Sequence, residues 1–264
     1  MTSYFQRTVP MVLLSCLMCA CATQLASDAN TGAVSLKMQN RLLSPVNGGR
    51  MVVVSDLQAG DIVLSSAMAA TSLGIRTLTM SPVSHAALYT GNAEIAEAVG
   101  SGVRQRSVQS FIDEEATIVA FRHPAMTPDR ARQMQAFVQR NLGQKYNYIG
   151  VVLQAPFTLE RRFCELPLVP SLVRDFCVRG IAAIQLGAVK NDQFFCSQLV
   201  LEAYRSAGLP LTDADPRMIS PDDLLHMREG DVPSVQIHHA LSYVGHLKSW
   251  PATQVAAAEP EQSN

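Results

Sequence analysis

Cys196 is the residue of this sequence whose surroundings best suit covalent chemistry. It stands in the run FFCSQLV at residues 194–200, and the apolar residues that follow recur at helical spacing through residue 207. This pattern places Cys196 in the first turn of a buried helix. A cysteine attacks carbonyl groups as a thiolate, so a helix N-terminus or a histidine must lower its pKa from about 8.5. Cys196 is therefore the candidate nucleophile.

His85 is the candidate base for this thiol. Residues 84–91 are short, compatible with a β-strand and closed by glycine, which predicts a strand with His85, Ala87 and Tyr89 on one face. Beside Cys196, an imidazole would accept the thiol proton and later give a proton to the leaving group.

Two glutamates compete to orient this histidine. A tight turn at residues 91–92 leads into a second predicted strand at residues 94–99, on which Ile95 and Glu97 share a face. A carboxylate bonded to the far nitrogen of the imidazole would fix its tautomer, which is the third role in a catalytic triad. Glu97 is the first candidate. Glu94 is the alternative, since the alternation from His85 does not separate them.

The N-terminus has the features of a secretory signal. Arg7 is the only charge before an apolar stretch at residues 9–17, which is too short to span a bilayer, and small residues follow. A buried N-terminal helix would instead interleave polar residues at helical spacing. The segment around Cys21 resembles a bacterial lipobox, with Ala20 just before the cysteine that would be lipidated. By the same resemblance, Ala22 after it favours an outer-membrane lipoprotein facing the periplasm, and plain secretion is the alternative.

Export changes how the cysteines are interpreted, because an oxidising compartment disfavours idle thiols. Three of the six cysteines lie in the predicted signal. A disulfide between Cys164 and Cys177 would close a loop of about 14 residues and contribute roughly 3 kcal/mol. Cys196 is then left unpaired. It could still be an inert core thiol, since free cysteine packs as a small hydrophobic residue.

The composition bounds the class of protein. The chain has 264 residues, of which 48% are hydrophobic and 16% charged, which suits a globular protein with a substantial core. A formal net charge of −1 gives no basic surface for nucleic acid, so that class of partner is set aside. The adjacent pair His238 and His239 lacks the spacing of metal ligands and has no Cys or carboxylate cluster nearby, so we expect no metal site and no cofactor.

The chain divides into one folded domain with less ordered ends. Residues 22–50 are small and polar, which predicts a flexible tether that carries the domain clear of a membrane. The domain covers residues 51–250, and its apolar, proline-broken part at about 151–190 is interpreted as an insertion of short helices. Residues 251–264 are predicted to be a disordered tail.

Further elements of the domain follow from local patterns. A Gly-Asp turn leads into an apolar strand within residues 56–64, and a helical stretch is expected near residues 67–79. The apolar pattern at residues 117–122 predicts a third strand. Thr127 followed by proline predicts a helix start, and the apolar spacing predicts that this helix ends at Gly143.

Five short motifs occur in the order found in a known enzyme family. They are Gly60-Asp61-Ile62, Ser84-His85-Ala86, Glu97-Ala98-Val99-Gly100, Tyr146-Asn147-Tyr148 and Phe195-Cys196-Ser197-Gln198-Leu199-Val200. Over about residues 56–210 the chain resembles the permuted papain-like amidases, the YiiX and YaeF-like branch of the NlpC-type cysteine peptidase superfamily. In this branch the histidine strand and the acidic residue precede the cysteine helix, whereas in papain the cysteine comes first.

The resemblance implies a fold and a set of roles. The fold would be α+β and circularly permuted papain-like, with an antiparallel sheet packed on the helix that carries the cysteine. Cys196 would be the nucleophile, His85 the base and Glu97 the orienting acid. Tyr146 would line the pocket or help an oxyanion hole whose other donor is the backbone N–H of Cys196.

Three functions compete at this point. The first is a cysteine-dependent hydrolase of amide or ester bonds that forms an acyl-enzyme, and for an exported member of this superfamily the natural substrate is a cell-wall peptide. The second is a lipid-directed acyltransferase or amidase of the same fold, with the apolar insertion capping a pocket for an acyl chain. The third is a non-catalytic envelope lipoprotein that binds lipid or peptide.

Overall fold

The structure is a computed structural model that describes residues 21–28, 30–44, 48–67, 81–146, 164–166, 169–186 and 193–249. The predicted signal peptide before Cys21 lies outside these residues. So do the predicted helix after Ala67 and the predicted tail.

Ten strands are found in the described residues. They are β1 (Thr23–Ser27), β2 (Val34–Met38), β3 (Ile62–Ala67), β4 (His85–Gly91), β5 (Glu94–Val99), β6 (Gly102–Ser107), β7 (Glu115–Arg122), β8 (Lys145–Tyr146), β9 (Gln193–Phe194) and β10 (Ser242–Lys248). Six of them form one antiparallel sheet in the order β10-β7-β3-β4-β5-β6. The predicted strands at residues 84–91, 94–99 and 117–122 are confirmed.

Five α-helices accompany the strands in the described part of the chain. They are α1 (Val108–Glu114), α2 (Pro128–Asn141), α3 (Ser171–Leu186), α4 (Cys196–Ser206) and α5 (Pro221–His226). The start of α2 is as predicted, because the Thr127 side chain caps it by accepting a hydrogen bond from the Arg130 N–H. Its last helical residue is Asn141, and Gly143 follows with a positive φ of 80° that favours glycine.

The sheet is buried on both faces. On one face Leu88 and Ala96 belong to a core shared with Val200 and Tyr204 of α4. On the other face Ala87 and Ile95 belong to a second core that includes Phe111 of α1. Successive residues of β4 therefore point to opposite cores, as the period of a strand requires. The first residue of α4, Cys196, lies beside the backbone N–H of Ala86 near the start of β4.

The segment predicted to be a flexible tether differs from that expectation. Strands β1 and β2 form a hairpin, and the chain after it is bonded to the domain. The guanidinium of Arg228 donates to the carbonyl oxygens of Asn40 and Leu43, and the Asn40 N–H donates to Asp231. Small polar residues leave the backbone free to make such bonds, so low hydrophobicity here does not prevent a fixed conformation.

The apolar insertion contains one long helix in its described part. Helix α3 has 16 residues, whereas short helices were predicted. A disulfide joins Cys177 of this helix to Cys164, as the cysteine count suggested. Residues 147–163 and 187–192 lie outside the described residues. No helix in the described part of the chain is both long enough and apolar enough to cross a membrane.

Candidate active site

Cys196 is the first residue of α4, as predicted. It is 7% exposed, and Phe195 before it is extended and serves as the N-cap. Burial raises the pKa of the thiol. The hydrogen bond with His85 and the backbone N–H groups of Ala86 and Ser197 more than offset that effect and hold the pKa below its ordinary value. The first N–H groups of a helix have no acceptor within the helix, so they are available to stabilise the thiolate.

His85 links the thiol to a carboxylate. Its ring is hydrogen-bonded to Cys196, and its Nε2 lies 2.8 Å from Oε2 of Glu97. Because Nε2 faces Glu97, Nδ1 is left to face the sulfur. Burial by itself lowers the pKa of the imidazole, but these two partners outweigh it and raise the pKa to about 10. The two shifts act in the same direction, since each group favours the charged form of the other.

Glu97 is fully buried and is held by three cationic groups. Besides His85, it forms ion pairs from Oε1 to Arg104 at 2.8 Å and to Arg106 at 2.7 Å. Burial raises the pKa of a carboxyl. Here His85, Arg106 and Arg104 outweigh that effect and lower the pKa of Glu97 to about 2. The carboxylate stays charged over the whole range in which an enzyme works, and it can hold the imidazole in one orientation.

A β-bulge decides which glutamate faces His85. At the hairpin end Gly91 pairs with Glu94, but one step later Tyr89 pairs with Ile95, so the register shifts by one residue. This shift puts Glu97 on the face of β5 that His85 occupies on β4. Glu94 is exposed, and its carboxylate accepts a hydrogen bond from Gln105 instead.

Phe111 of α1 supports the other side of the site. Its ring lies 6.2 Å from the His85 ring between centroids, and the guanidinium of Arg106 lies 5.0 Å from the same ring. The hydroxyl of Ser107 caps α1 by accepting from the Ser110 N–H. A fixed α1 therefore limits the rotation of both the imidazole and the guanidinium.

Sequence reasoning missed the two arginines and a second buried carboxyl. Arg104 and Arg106 alternate along β6, and that alternation was a usable signal for a strand that presents both to one face. Glu115, at the start of β7, is 8% exposed, and burial raises its pKa against the attraction of His85. The sequence pattern predicts this strand only from residue 117 onward, so Glu115 lies outside the prediction.

The remaining predicted residues lie apart from the triad or are only partly described. The backbone of Tyr146 pairs with Phe194 in a parallel two-stranded ladder, two residues before Cys196, and its side chain is outside the described structure. Cys21 is partly exposed, and its sulfur accepts a hydrogen bond from Nε of Arg41 at 3.2 Å. Within the described residues, no group of three His, Cys, Asp or Glu side chains could hold a metal ion.

The arrangement can carry out nucleophilic attack on a carbonyl. A cysteine at a helix N-terminus would supply the nucleophile, the imidazole beside it would supply a proton, and the buried carboxylate would hold the imidazole. The groups occur in the chain order histidine, acid, cysteine.

The sequence matches a known protein family and a curated relative. A family model described as permuted papain-like amidase enzyme, YaeF/YiiX, C92 family, matches residues 56–164. The chain is 37% identical over 230 residues to the probable lipoprotein peptidase YaeF of Escherichia coli strain K12, a match that covers 86% of this chain and 83% of that protein. The solved structure of metalloprotein yiiX from Escherichia coli O157:H7 is 18% identical, with a TM-score of 0.43, and covers 74% of this chain and 99% of its own.

Proposed function

The chain belongs to the permuted papain-like amidases, which makes it a papain-like cysteine peptidase or amidase, and on that premise we propose that Cys196, His85 and Glu97 are its catalytic triad. The observation that carries this proposal is the imidazole of His85, which bonds the Cys196 thiol on one side and the Glu97 carboxylate on the other.

The reaction proceeds through an acyl-enzyme. The Cys196 thiolate attacks the carbonyl carbon, a C–S bond forms, and the π electrons move to the oxygen. When the tetrahedral intermediate collapses, Nδ1 of His85 gives its proton to the leaving nitrogen and the C–N bond breaks. Neutral His85 then takes a proton from water, whose oxygen attacks the thioester. The acid is released and the thiolate and imidazolium are restored.

The negative oxygen of the intermediate needs donors. The backbone N–H of Cys196 is one candidate, because it lies at the first position of α4 beside the attacking sulfur. Tyr146 is the candidate for a second donor. Its backbone runs beside Phe194, which keeps it close to the cysteine in the fold.

The substrate we propose is a peptide amide of the cell wall. The predicted signal and lipobox place the protein in the envelope, where stem peptides and their crosslinks are the abundant amides. The competing substrate class is a lipid amide or ester. Purified protein should release new amino and carboxyl termini from muropeptides and should not turn over lipid amides or esters; the reverse preference would overturn the substrate assignment.

We further propose that Cys21 carries the lipid anchor and that the protein is exported to the periplasmic face of the outer membrane. The support is the lipobox-like sequence and the similarity to a protein named a probable lipoprotein peptidase. Cells fed labelled palmitate should label the wild-type protein and leave Cys21→Ser unlabelled. Incorporation that survives this change would refute the site.

A further inference from the structure

The β1–β2 hairpin carries an apolar face that no described residue covers. Leu25 pairs directly with Leu36 across the two strands, so both side chains lie on the same face. The period of two adds Val34 and Met38 to this face. We call these four residues the hairpin face, and they are 48–71% exposed.

The opposite face of the hairpin is polar. Gln24 pairs with Lys37, and Ser35 lies beside them, all exposed. A two-stranded hairpin is only marginally stable in water by itself, and four large aliphatic side chains on one side of it are costly to hydrate. The hairpin therefore has the form of an amphipathic element that lacks its apolar partner.

The predicted lipidation site beside the hairpin indicates what that partner is. The hairpin begins two residues after Cys21, and the Gln39 N–H donates to the Ala22 carbonyl, which holds the cysteine at the base of the hairpin. The Thr23 carbonyl accepts a hydrogen bond from Arg174 of α3. Leu172, Val173 and Phe176, which lie within one turn of Arg174, are apolar and exposed, and they add to the apolar surface near Thr23. Acyl chains on Cys21 would enter a bilayer at this position.

The base of the hairpin is fixed to the catalytic domain. Arg228 is 3% exposed, donates to two carbonyls of the following segment and forms an ion pair with Asp231. A hairpin held in this way transmits its orientation to the domain. A membrane contact through the hairpin face would therefore set how the active site is presented.

We propose that the hairpin face inserts into a phospholipid bilayer as a second membrane contact beside the acyl anchor. The acyl anchor itself rests on the proposed function, whereas insertion of the hairpin face does not require it. Acyl chains on one cysteine hold the chain at one point, and a second apolar contact beside them would fix how the domain lies on the bilayer.

The test uses the chain from residue 21 onward with Cys21→Ser, so that neither an acyl group nor the signal contributes. We expect it to float with vesicles of phosphatidylethanolamine and phosphatidylglycerol, and with phosphatidylcholine vesicles, since the contact is apolar. In the same background, Leu25→Asp with Leu36→Asp should weaken partitioning by about tenfold per leucine or more. The matched control is Gln24→Asp with Ser35→Asp, which adds the same charge to the polar face of the same strands and should bind as the parent does.

Three results would overturn the proposal. The parent could fail to bind vesicles, the two double variants could bind equally, or sedimentation could show a dimer that only the leucine substitutions dissociate. Circular dichroism confirms that each variant is folded. None of these readouts depends on hydrolysis or on lipidation, so failure here is distinguishable from failure of the proposed function.

Discussion

His85 and Glu97 share a 2.8 Å hydrogen bond because a one-residue bulge in the β4–β5 hairpin turns Glu97 toward the histidine. Glu97 is in turn paired with Arg104 and Arg106, which hold its carboxylate beside Nε2 of the imidazole. This arrangement favours the charged form of the imidazole next to Cys196, and the imidazole in turn lowers the pKa of the thiol.

Glu97→Gln should lower kcat/KM by about a hundredfold, because it removes the charge that holds the imidazolium while keeping the shape of the side chain. The alkaline limit of activity should move below that of the wild type as the pKa of His85 falls. Glu94→Gln is the matched control and should stay within about twofold of the wild type, since an exposed side chain rarely contributes more. Equal losses in the two variants would contradict the assignment.

Glu97→Gln also removes an ion-pair partner of Arg104 and Arg106, although Arg106 keeps its pair with Glu114 and Arg104 is partly exposed, so some loss of stability is expected. The kinetic comparison is therefore made at a temperature where circular dichroism shows both variants fully folded.

The pH dependence of the wild type follows from the same pair. The pKa of Cys196 is lowered and that of His85 is raised to about 10, so activity should extend over neutral pH and fall as the pH approaches 10. The charged imidazole also contributes to the free energy of unfolding. This contribution is fully present below about pH 6.5 and is lost as the pH rises through about 10. Thiolate absorbance and kcat/KM should be measured against pH. A thiolate that first appears near pH 8.5 in the wild type would contradict the ion pair.

The disulfide between Cys164 and Cys177 should stabilise the fold and leave the chemistry alone. Replacing both with serine should reduce the free energy of unfolding by roughly 3 kcal/mol, the value expected for a loop of about 14 residues. Chemical denaturation measures this change. The rate at which Cys196 is alkylated should stay the same, and a large fall in that rate would show that the bridge supports the site.

Arg228 should hold the segment after the hairpin on the domain. Arg228→Met leaves the carbonyls of Asn40 and Leu43 without these bonds, while Asp231 keeps its pair with His226, so the change should cost about 1–3 kcal/mol. Limited proteolysis should then cut near residues 40–44.

Arg132→Met is the control for this experiment, because Arg132 forms an exposed ion pair with Asp129 worth less than about 1 kcal/mol. Equal protease resistance in wild type and Arg228→Met would show that the segment is held in some other way.

The nucleophile and its base could be predicted because each depends on a local pattern. The helical spacing after Cys196 places it at a helix start, and the short strand ending at Gly91 carries His85. The choice between Glu94 and Glu97 could not be made in this way. It depends on a bulge, and alternation counted through a regular two-residue turn would put Glu94 on the histidine face.

The predicted tether differs from the structure for a related reason. Residues 22–50 lack a continuous apolar run, but Arg228 and Asp231, almost 200 positions later in the chain, supply partners for their backbone. Contacts between positions so far apart in the sequence cannot be predicted from local composition. The alternation of Val34, Leu36 and Met38 was the available sign of a strand.

Intact-mass measurement after reaction with a thiol-directed electrophile, on the chain from residue 21 onward with Cys21→Ser, tests the central claim most directly. The protein should gain one adduct, mapped to Cys196, at neutral pH. The adduct should be absent in Cys196→Ala, and its formation should be about a hundredfold slower in His85→Ala, because the imidazolium no longer stabilises the thiolate. Labelling of Cys196 at the same rate with and without His85 would contradict the thiolate–imidazolium pair on which the proposed mechanism depends.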